Sequence, residues 1–120
     1  MEQNVSGDKK EIMRMITRQG VVIKKLADQS QVLYYQDGSI TEIDTRHGKW
    51  KNTNAKGIIR ERNLRNKSST DQVRRLTFHT KIDPEENATV SVREDGLLKI
   101  TYTDRSTMLI FPDNSKIFVT

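Results

Sequence analysis

Short runs of aliphatic, aromatic and β-branched residues alternate along this chain with polar turns centred on aspartate. In the last third the runs, such as 97–102 and 107–111, have about the length of an ordinary β-strand. An aspartate at a turn can accept hydrogen bonds from backbone N–H groups two residues further on. Three late turns and two earlier ones share a spacing of nine residues: Asp95, Asp104 and Asp113, and Asp28 and Asp37. The pattern predicts a mainly β fold, an antiparallel β-meander of nine-residue strand-turn repeats.

The same period has a second interpretation, because calcium-binding parallel β-rolls also repeat every nine residues. Those repeats combine glycine-rich turns with very short strands. The turns of this chain lack paired glycines, and the runs between them are longer. The turn aspartates are therefore interpreted as hairpin corners that aim the strands, and no metal site is expected.

The N-terminal segment predicts one short helix. Asp8 stands three residues before Glu11, which is the spacing of an N-cap carboxylate and an N3 carboxylate. An apolar stripe at i, i+3 and i+4 and a C-cap glycine complete the pattern: Ile12, Met15, Ile16 and Gly20. We expect this helix over about 9–19, packed on a sheet, after a disordered tail over 1–7.

The remaining chain divides at a polar, basic segment over 63–72, which is interpreted as a long loop. A strand is expected before the Asp28 turn, a hairpin at Asp37-Gly38 and a long strand over 73–82. These elements predict a single β-meander domain over 8–120, in two blocks (20–62 and 73–120) joined by the basic loop. The chain stops within a strand, so we expect a fragment of a longer protein.

Both faces of the predicted sheet are apolar. Counted from each turn aspartate, positions +5 and +7 carry large apolar side chains, and so do positions +4 and +6. Either the two blocks pack face to face, or the helix covers one face and a partner covers the other. The candidate apolar partner face is Leu33, Tyr35, Tyr102, Leu109, Phe111 and Phe118. An uncovered edge strand also leaves homo-oligomerisation through sheet edges open.

Composition adds a localised positive charge. The formal net charge of the 120 residues is +5, and between positions 56 and 75 seven basic residues stand against two acidic ones. Such a stretch attracts acidic partners, including acidic protein tails, although a solvated loop explains it equally well. The candidate acidic-partner surface is Arg60, Arg62, Arg65, Lys67, Arg74 and Arg75. Nearby aromatic residues keep a base-stacking, nucleic-acid-binding alternative open.

Enzyme chemistry is not indicated by the sequence. The chain has no cysteine, so it forms no disulfide and no thiolate metal site. His47 and His79 lie far apart, and no glycine-rich phosphate loop, nucleophile elbow or zinc-binding helix motif occurs. We expect no enzymatic activity and no cofactor. No apolar run is long enough to span a membrane, so we expect a cytoplasmic chain without a membrane partner.

Two segments resemble a known kind of turn. Tyr35-Gln36-Asp37-Gly38-Ser39 and Phe111-Pro112-Asp113-Asn114-Ser115 resemble the aromatic-x-Asp-Gly-Ser/Thr turns of ciliary and centriolar β-meander proteins. One such family is the T-complex-type repeat domain of centrosomal proteins, a single sheet exposed on both faces that captures a proline-rich partner segment. Another consists of repeats in a very large central-pair projection protein of motile axonemes. The resemblance covers about 20–44 and 89–120.

The resemblance implies a non-enzymatic structural and protein-interaction module of a ciliary or flagellar axoneme. Its setting would be a scaffold of the central apparatus that supports microtubule-based motility, in the cytoskeleton of the cilium. The implied partners are proteins of a ciliary assembly, including microtubule-associated ones. The alternative is a nucleic-acid-binding domain that uses the basic stretch over 56–75.

Overall fold

The computed structural model describes residues 10–64, 72–85 and 87–120, which form β-strands and no helix. Within these ranges the protein accordingly has no helical segment with the length and apolarity of a membrane span. The first sheet contains β1 Glu11–Ile16, β2 Val22–Leu26, β3 Gln31–Tyr34, β4 Ile40–Asp44, β5 Lys49–Thr53, β6 Ile58–Asn63 and β7 Gln72–Arg75. The second contains β8 Phe78–Asp83, β9 Ala88–Arg93, β10 Leu98–Tyr102, β11 Thr107–Ile110 and β12 Lys116–Val119.

Strands that follow one another in sequence lie side by side in both sheets. The first sheet has the order β1-β2-β3-β4-β5-β6-β7, and the second has the order β12-β11-β10-β9-β8. Every pairing is antiparallel. The predicted mainly β, antiparallel fold is therefore confirmed.

The junction between the sheets lies within the segment for which a single long strand is predicted over 73–82. The Leu76 N–H donates a hydrogen bond of 2.8 Å to the Gly57 carbonyl in the first sheet. The Thr77 carbonyl accepts a 2.9 Å hydrogen bond from the Glu94 N–H in the second sheet. The prediction of a single strand is wrong, because Leu76 is hydrogen-bonded to the first sheet and the adjacent Thr77 to the second. The segment is therefore divided between β7 and β8.

The prediction of an N-terminal helix over about 9–19 is also wrong, because most of this segment forms the edge strand β1. A β-bulge between Glu11 and Met13 shifts the register of β1 against β2. Met15 and Ile16 of the predicted helical stripe are adjacent in the strand and lie on its opposite faces. Thr17 and Gly20 close the following hairpin through a Gly20 N–H to Thr17 carbonyl bond of 3.0 Å. Gly20 has φ +80°, a conformation that both a helix C-cap and a hairpin bulge require.

The five aspartate turns share one local geometry. In each, the aspartate Oδ1 accepts a hydrogen bond from the backbone N–H two residues on, at 2.8–3.3 Å. The residue directly after each aspartate has positive φ: Gln29, Gly38, Gly96, Arg105 and Asn114. The nine-residue repeat is nevertheless not confirmed as the unit of the fold. The turn after β4, for example, has a different contact, in which the His47 N–H, three residues after Asp44, donates to Asp44 Oδ1 at 3.1 Å.

The two sheets meet through one face of each, called here the packed faces. The first sheet contributes Val22, Tyr34 and Ile40, and the second contributes Leu97, Leu109, Phe111 and Ile117. The rings of Tyr34 and Phe111 have centroids 4.4 Å apart. Gly38 permits this close approach, since a Cβ built there would lie 3.0 Å from a methyl carbon of Leu97. The core is thus a contact between two sheets with no helix involved.

Arg93 connects the sheets and is almost completely buried, at 1% exposure. Its Nε and Nη2 donate to the two carboxylate oxygens of Asp95 at 2.8 and 2.9 Å. Its Nη1 donates to the carbonyls of Gly38 and Asn54, both at 3.0 Å. A buried guanidinium must be neutralised and hydrogen-bonded, and these contacts supply both requirements.

Asp113 forms a second connection between the sheets. Its Oδ2 accepts a 2.6 Å hydrogen bond from Lys24 Nζ, and its Oδ1 accepts one of 2.9 Å from the Ser115 N–H. Burial raises the pKa of Asp113, but hydrogen bonds from Lys24, Ser115 and Tyr34 lower it further than burial raises it. The folded-state pKa of Asp113 therefore lies well below its ordinary value.

This depression predicts acid sensitivity. A carboxyl whose pKa is lower in the folded state stabilises the protein above its unfolded pKa of about 4, and the contribution is lost as pH falls below that value. We expect the free energy of unfolding to drop between pH 5 and pH 3, with Asp113→Asn reducing the drop by no more than about 1 kcal/mol. Urea denaturation at pH 5, 4 and 3 measures it. An unchanged pH slope in Asp113→Asn would contradict the prediction.

Candidate functional site

Each sheet has a second face that is not part of the core, called here its open face. Residues paired across strands share a face, and alternate residues of a strand lie on opposite faces. The open face of the first sheet consists of Met13, Met15, Ile23, Lys25, Gln31, Leu33, Thr41, Ile43, Trp50, Asn52, Ile58, Arg60, Arg62, Val73 and Arg75. Only Thr41 among them is buried, and it accepts a 2.9 Å hydrogen bond from Asn52.

Charge is distributed unequally between the two faces of the first sheet. The open face carries the cationic residues Lys25, Arg60, Arg62 and Arg75, and none of its described strand residues is acidic. The strand carboxylates lie on the other side, where Glu42 contacts Lys51 at 3.6 Å and Glu61 contacts Arg74 at 3.9 Å. Among the described strand residues, the open face therefore carries basic side chains and the other face carries the carboxylates.

Trp50 and Arg62 form the most defined contact on this open face. They are directly paired across β5 and β6, and the guanidinium carbon lies 5.7 Å from the centre of the indole ring. Stacking of this kind holds the arginine side chain over the aromatic face. Ile43 is the neighbour of Trp50 on β4, so apolar surface adjoins the charge.

The open face of the second sheet is more uniformly apolar. It consists of Val90, Val92, Leu98, Ile100, Tyr102, Met108, Ile110 and Phe118, with His79, Lys81, Asp83, Ala88 and Lys116 around them. Val92 is 41% exposed and Phe118 is 52% exposed. Contiguous apolar surface of this kind on a folded domain is typical of a partner-binding surface. β12 forms one edge of this sheet and pairs with β11 on one side.

The residues predicted as an apolar partner face do not lie together. Leu109 and Phe111 are 0% and 1% exposed and belong to the core. Tyr102 and Phe118 lie on the open face of the second sheet, and Leu33 lies on that of the first. Tyr35 lies in the turn after β3 and is half-buried. Two of the six are therefore on the apolar open face of the second sheet.

The predicted acidic-partner surface is likewise divided. Arg60, Arg62 and Arg75 lie on the open face of the first sheet, whereas Arg74 lies on its packed face. The other two predicted members, Arg65 and Lys67, fall outside the described residues. Three of the four described arginines therefore lie on one face of the sheet. The alternation of side chains along β7 places Arg74 on the other face.

A groove of about 680 Å³ lies on the first sheet. Its lining combines residues of the packed face, Val32, Glu42, Lys51 and Glu61, with residues of the open face, Gln31, Ile43, Trp50 and Arg62. The acidic and basic groups there pair with each other, as in the Glu42–Lys51 contact. The groove consequently has no single charge with which to select a ligand.

The two histidines are placed apart. His47 lies in the turn after β4, with Nδ1 at 2.8 Å from Asp44 Oδ2, and His79 is exposed on β8. In the part of the chain that the structure describes, no group of three or more His, Cys, Asp or Glu residues has the arrangement of a metal site.

Sequence reasoning did not identify Arg93 or Lys25 as important, and it considered Trp50 only as one of the aromatic residues of the base-stacking alternative. A signal for Arg93 is present, because it occupies the position two residues before a turn aspartate. The corresponding positions in the other four turns hold Leu26, Tyr35, Tyr102 and Phe111, all apolar or aromatic. For Lys25 and Trp50 the signal is the alternation of side chains along each strand, which places both on the open face once the register is known.

This chain is distantly similar to three solved structures of centriolar protein domains. No protein-family model matches the chain, and no curated protein matches it. The Drosophila melanogaster SAS-4 (dCPAP) TCP domain, in complex with a proline-rich motif of Ana2 (dSTIL), is 16% identical over 100% of this chain and 95% of that chain, with a TM-score of 0.34. The Danio rerio CPAP TCP10 domain, in complex with a STIL peptide, is 14% identical over 88% and 67%, with a TM-score of 0.46.

A third structure, the TCP10c domain of Drosophila melanogaster Sas-4, is 18% identical over 93% of this chain and 98% of that chain, with a TM-score of 0.34. These domains are of the kind that the turn resemblance implies. None of the three is sperm-associated antigen 17, the axonemal central-pair protein whose repeats the two turns also resemble. At such identities and TM-scores, the matches establish neither the family nor a partner of this chain.

Proposed function

We propose that this chain is a non-enzymatic protein-interaction module of a ciliary or centriolar scaffold. The observation that carries the proposal is the uncovered apolar open face of the second sheet, on which Val92 and Phe118 are largely exposed. The cellular setting comes from the resemblance of the two aspartate turns. The finer assignment, to the central apparatus of a motile axoneme and to microtubule-associated partners, rests on that resemblance alone.

The proposed occupant of this face is an extended segment of a partner protein. The edge strand β12 carries Phe118 and has a partner strand, β11, on one side. A segment that adds beside β12 would satisfy the outer backbone groups of that strand. Its alternate side chains would then extend the apolar surface formed by Met108, Ile100 and Val90, which lie in one row with Phe118.

Two charge substitutions on this face test the proposal in cells. In ciliated cells we expect the tagged chain to concentrate at centrioles or axonemes, and the Val92→Glu/Phe118→Glu variant to lose most of that signal, because a buried carboxylate without a partner opposes binding. Fluorescence microscopy against centriole and axoneme markers measures the localisation. The matched control is Thr89→Glu, an exposed position of the same strand β9 on the opposite face.

Both variants should retain the wild-type circular dichroism spectrum, because the substituted side chains are exposed. A diffuse wild-type protein would reject the cellular setting. Equal localisation of wild type and the double variant would reject the second sheet as the binding surface.

A further inference from the structure

We infer that Thr77 is a phosphorylation site for a protein kinase that recognises arginine residues, and that the added phosphate breaks the contact between Thr77 and Glu94. Thr77 lies in the connection between β7 and β8, where the chain passes from the first sheet to the second. This site is separate from the open face of the second sheet and goes beyond the function proposed for it. Three features of Thr77 support the assignment: the residues around it, its exposure and its hydrogen bonds.

The residues beside Thr77 have the charge pattern of a substrate for arginine-directed kinases. Arg74 and Arg75 stand three and two positions before Thr77, and the apolar Phe78 follows it directly. A kinase with acidic residues in its substrate groove selects arginines at such positions by charge. Both arginine side chains are exposed, and the contact of Arg74 with Glu61, at 3.9 Å, is an ion pair at the surface. Such a pair contributes little, so it does not oppose binding in an acidic groove.

The backbone around Thr77 is extended, which is the form that a substrate groove accepts. Arg75 ends β7, Leu76 and Thr77 belong to no strand, and Phe78 begins β8. Among the described strands, β7 is an edge strand whose neighbour is β6, and the Leu76 N–H bond to the Gly57 carbonyl follows that pairing. Exposed segments with few buried contacts open locally at a low free-energy cost. A kinase therefore needs to detach only the end of an edge strand to reach Thr77.

The exposed Thr77 side chain is attached to the second sheet through Glu94. Thr77 Oγ1 donates a 3.2 Å hydrogen bond to Glu94 Oε1, and the Thr77 N–H donates to the same oxygen at 3.0 Å. The Thr77 carbonyl accepts the Glu94 N–H at 2.9 Å. The Glu94 side chain is itself exposed, so solvent and a kinase can reach the Thr77 hydroxyl.

Two other hydroxyl residues that follow an arginine fit a kinase less well. Thr17 has Arg14 three positions before it, but Thr17 is half-buried and its Oγ1 accepts the Val21 N–H at 3.1 Å. Ser106 follows Arg105 directly and is only 6% exposed. Of these three residues, Thr77 alone combines two preceding arginines with an exposed hydroxyl outside a strand.

Phosphoryl transfer to Thr77 changes the contact with Glu94. The Thr77 hydroxyl oxygen forms a bond to the γ-phosphorus of ATP as the bond from that phosphorus to the oxygen bridging the β- and γ-phosphates breaks. ADP leaves, and the hydroxyl proton passes to a carboxylate of the kinase. The product has no hydroxyl donor for Glu94 and places up to about two negative charges beside its carboxylate. Repulsion between these groups should release the Glu94 side chain from Thr77.

Phosphorylation of the folded, full chain tests the site. The probe is the catalytic subunit of cyclic-AMP-dependent protein kinase, an arginine-directed kinase, with ATP and Mg²⁺, and tandem mass spectrometry locates the phosphate. We expect phosphate at Thr77 and its loss from this position in Thr77→Val. Arg74→Gln/Arg75→Gln should lower kcat/KM for Thr77 by at least about tenfold. The matched control, Lys81→Gln/Lys99→Gln, removes the same charge from exposed positions of the second sheet and should lower it by no more than about twofold.

Hydrogen exchange measures the effect of the phosphate on the connection. In the phosphorylated protein we expect the Thr77 amide hydrogen to exchange at least about threefold faster than in the unmodified protein, because its acceptor on Glu94 is released. Glu94→Gln should reduce this acceleration, since a neutral amide does not repel phosphate. Comparing the phosphorylated and unmodified forms of each variant by nuclear magnetic resonance gives the two ratios.

Several results would overturn the inference. Phosphate found only at other serines or threonines, or none on the folded chain, would reject Thr77 as the site. Equal losses of kcat/KM in the arginine and lysine variants would mean that net charge alone matters. Equal acceleration of exchange with Glu94 and with glutamine at that position, or no acceleration, would reject the effect on the Glu94 contact. None of these outcomes involves the open face of the second sheet, so they are independent of the localisation experiment.

Discussion

Replacing Arg93 with alanine is expected to lower the free energy of unfolding by about 3–5 kcal/mol, the largest single effect of removing a charge from this protein. The substitution removes the bidentate contact with Asp95 and leaves the carbonyls of Gly38 and Asn54 without their donor. Buried acceptors that lose a hydrogen bond keep their full desolvation cost. The expected result is a weakened contact between the two sheets, measured by urea denaturation at neutral pH.

The matched control for Arg93→Ala is Arg74→Ala, an arginine of the first sheet whose side chain is 66% exposed beside Glu61. Its removal should cost no more than about 1 kcal/mol, as is usual for an exposed ion pair. If the two alanine variants were equally stable, Arg93 would not connect the sheets in solution. Arg93→Lys would show whether charge alone suffices, since lysine cannot reproduce the bidentate geometry.

Replacing Phe111 with alanine should lower the free energy of unfolding by about 3–5 kcal/mol. Phe111 is 1% exposed and its ring lies 4.4 Å from that of Tyr34. Its removal leaves a cavity between the packed faces, because strands held by backbone hydrogen bonds cannot close around it. Thermal or urea denaturation measures the loss.

Phe118→Ala provides the comparison, because Phe118 is 52% exposed on the open face of the second sheet. It should change stability by less than about 1 kcal/mol while reducing partner binding at that face. Equal destabilisation by the two substitutions would mean that both aromatic residues lie in a core. The pair therefore separates two residues that the sequence pattern places on a single partner face.

The function proposed for the second sheet follows from this architecture. Each sheet buries one face against the other, so an open face remains on both. The second sheet presents aliphatic and aromatic side chains beside an edge strand, which suits an apolar extended segment.

The sequence by itself determined the class of fold and the form of its turns. Aspartate at hairpin corners and alternating apolar runs are local signals, so an antiparallel mainly β chain follows from interactions between residues close in sequence. The helix prediction failed because four apolar residues within a short segment are compatible with a strand as well as a helix, and Gly20 with positive φ satisfies both structures. Only pairing with β2 distinguishes them.

The tertiary structure alone decided which apolar residues form the core and which form a surface. Leu109 and Phe111 belong to the same apolar pattern as Tyr102 and Phe118, yet contact with the first sheet buries the former pair only. The cationic open face arises in the same way. Lys25 and Arg62 are far apart in sequence, and cross-strand register places them in one row. Register and sheet packing are non-local, so neither could be derived from local sequence signals.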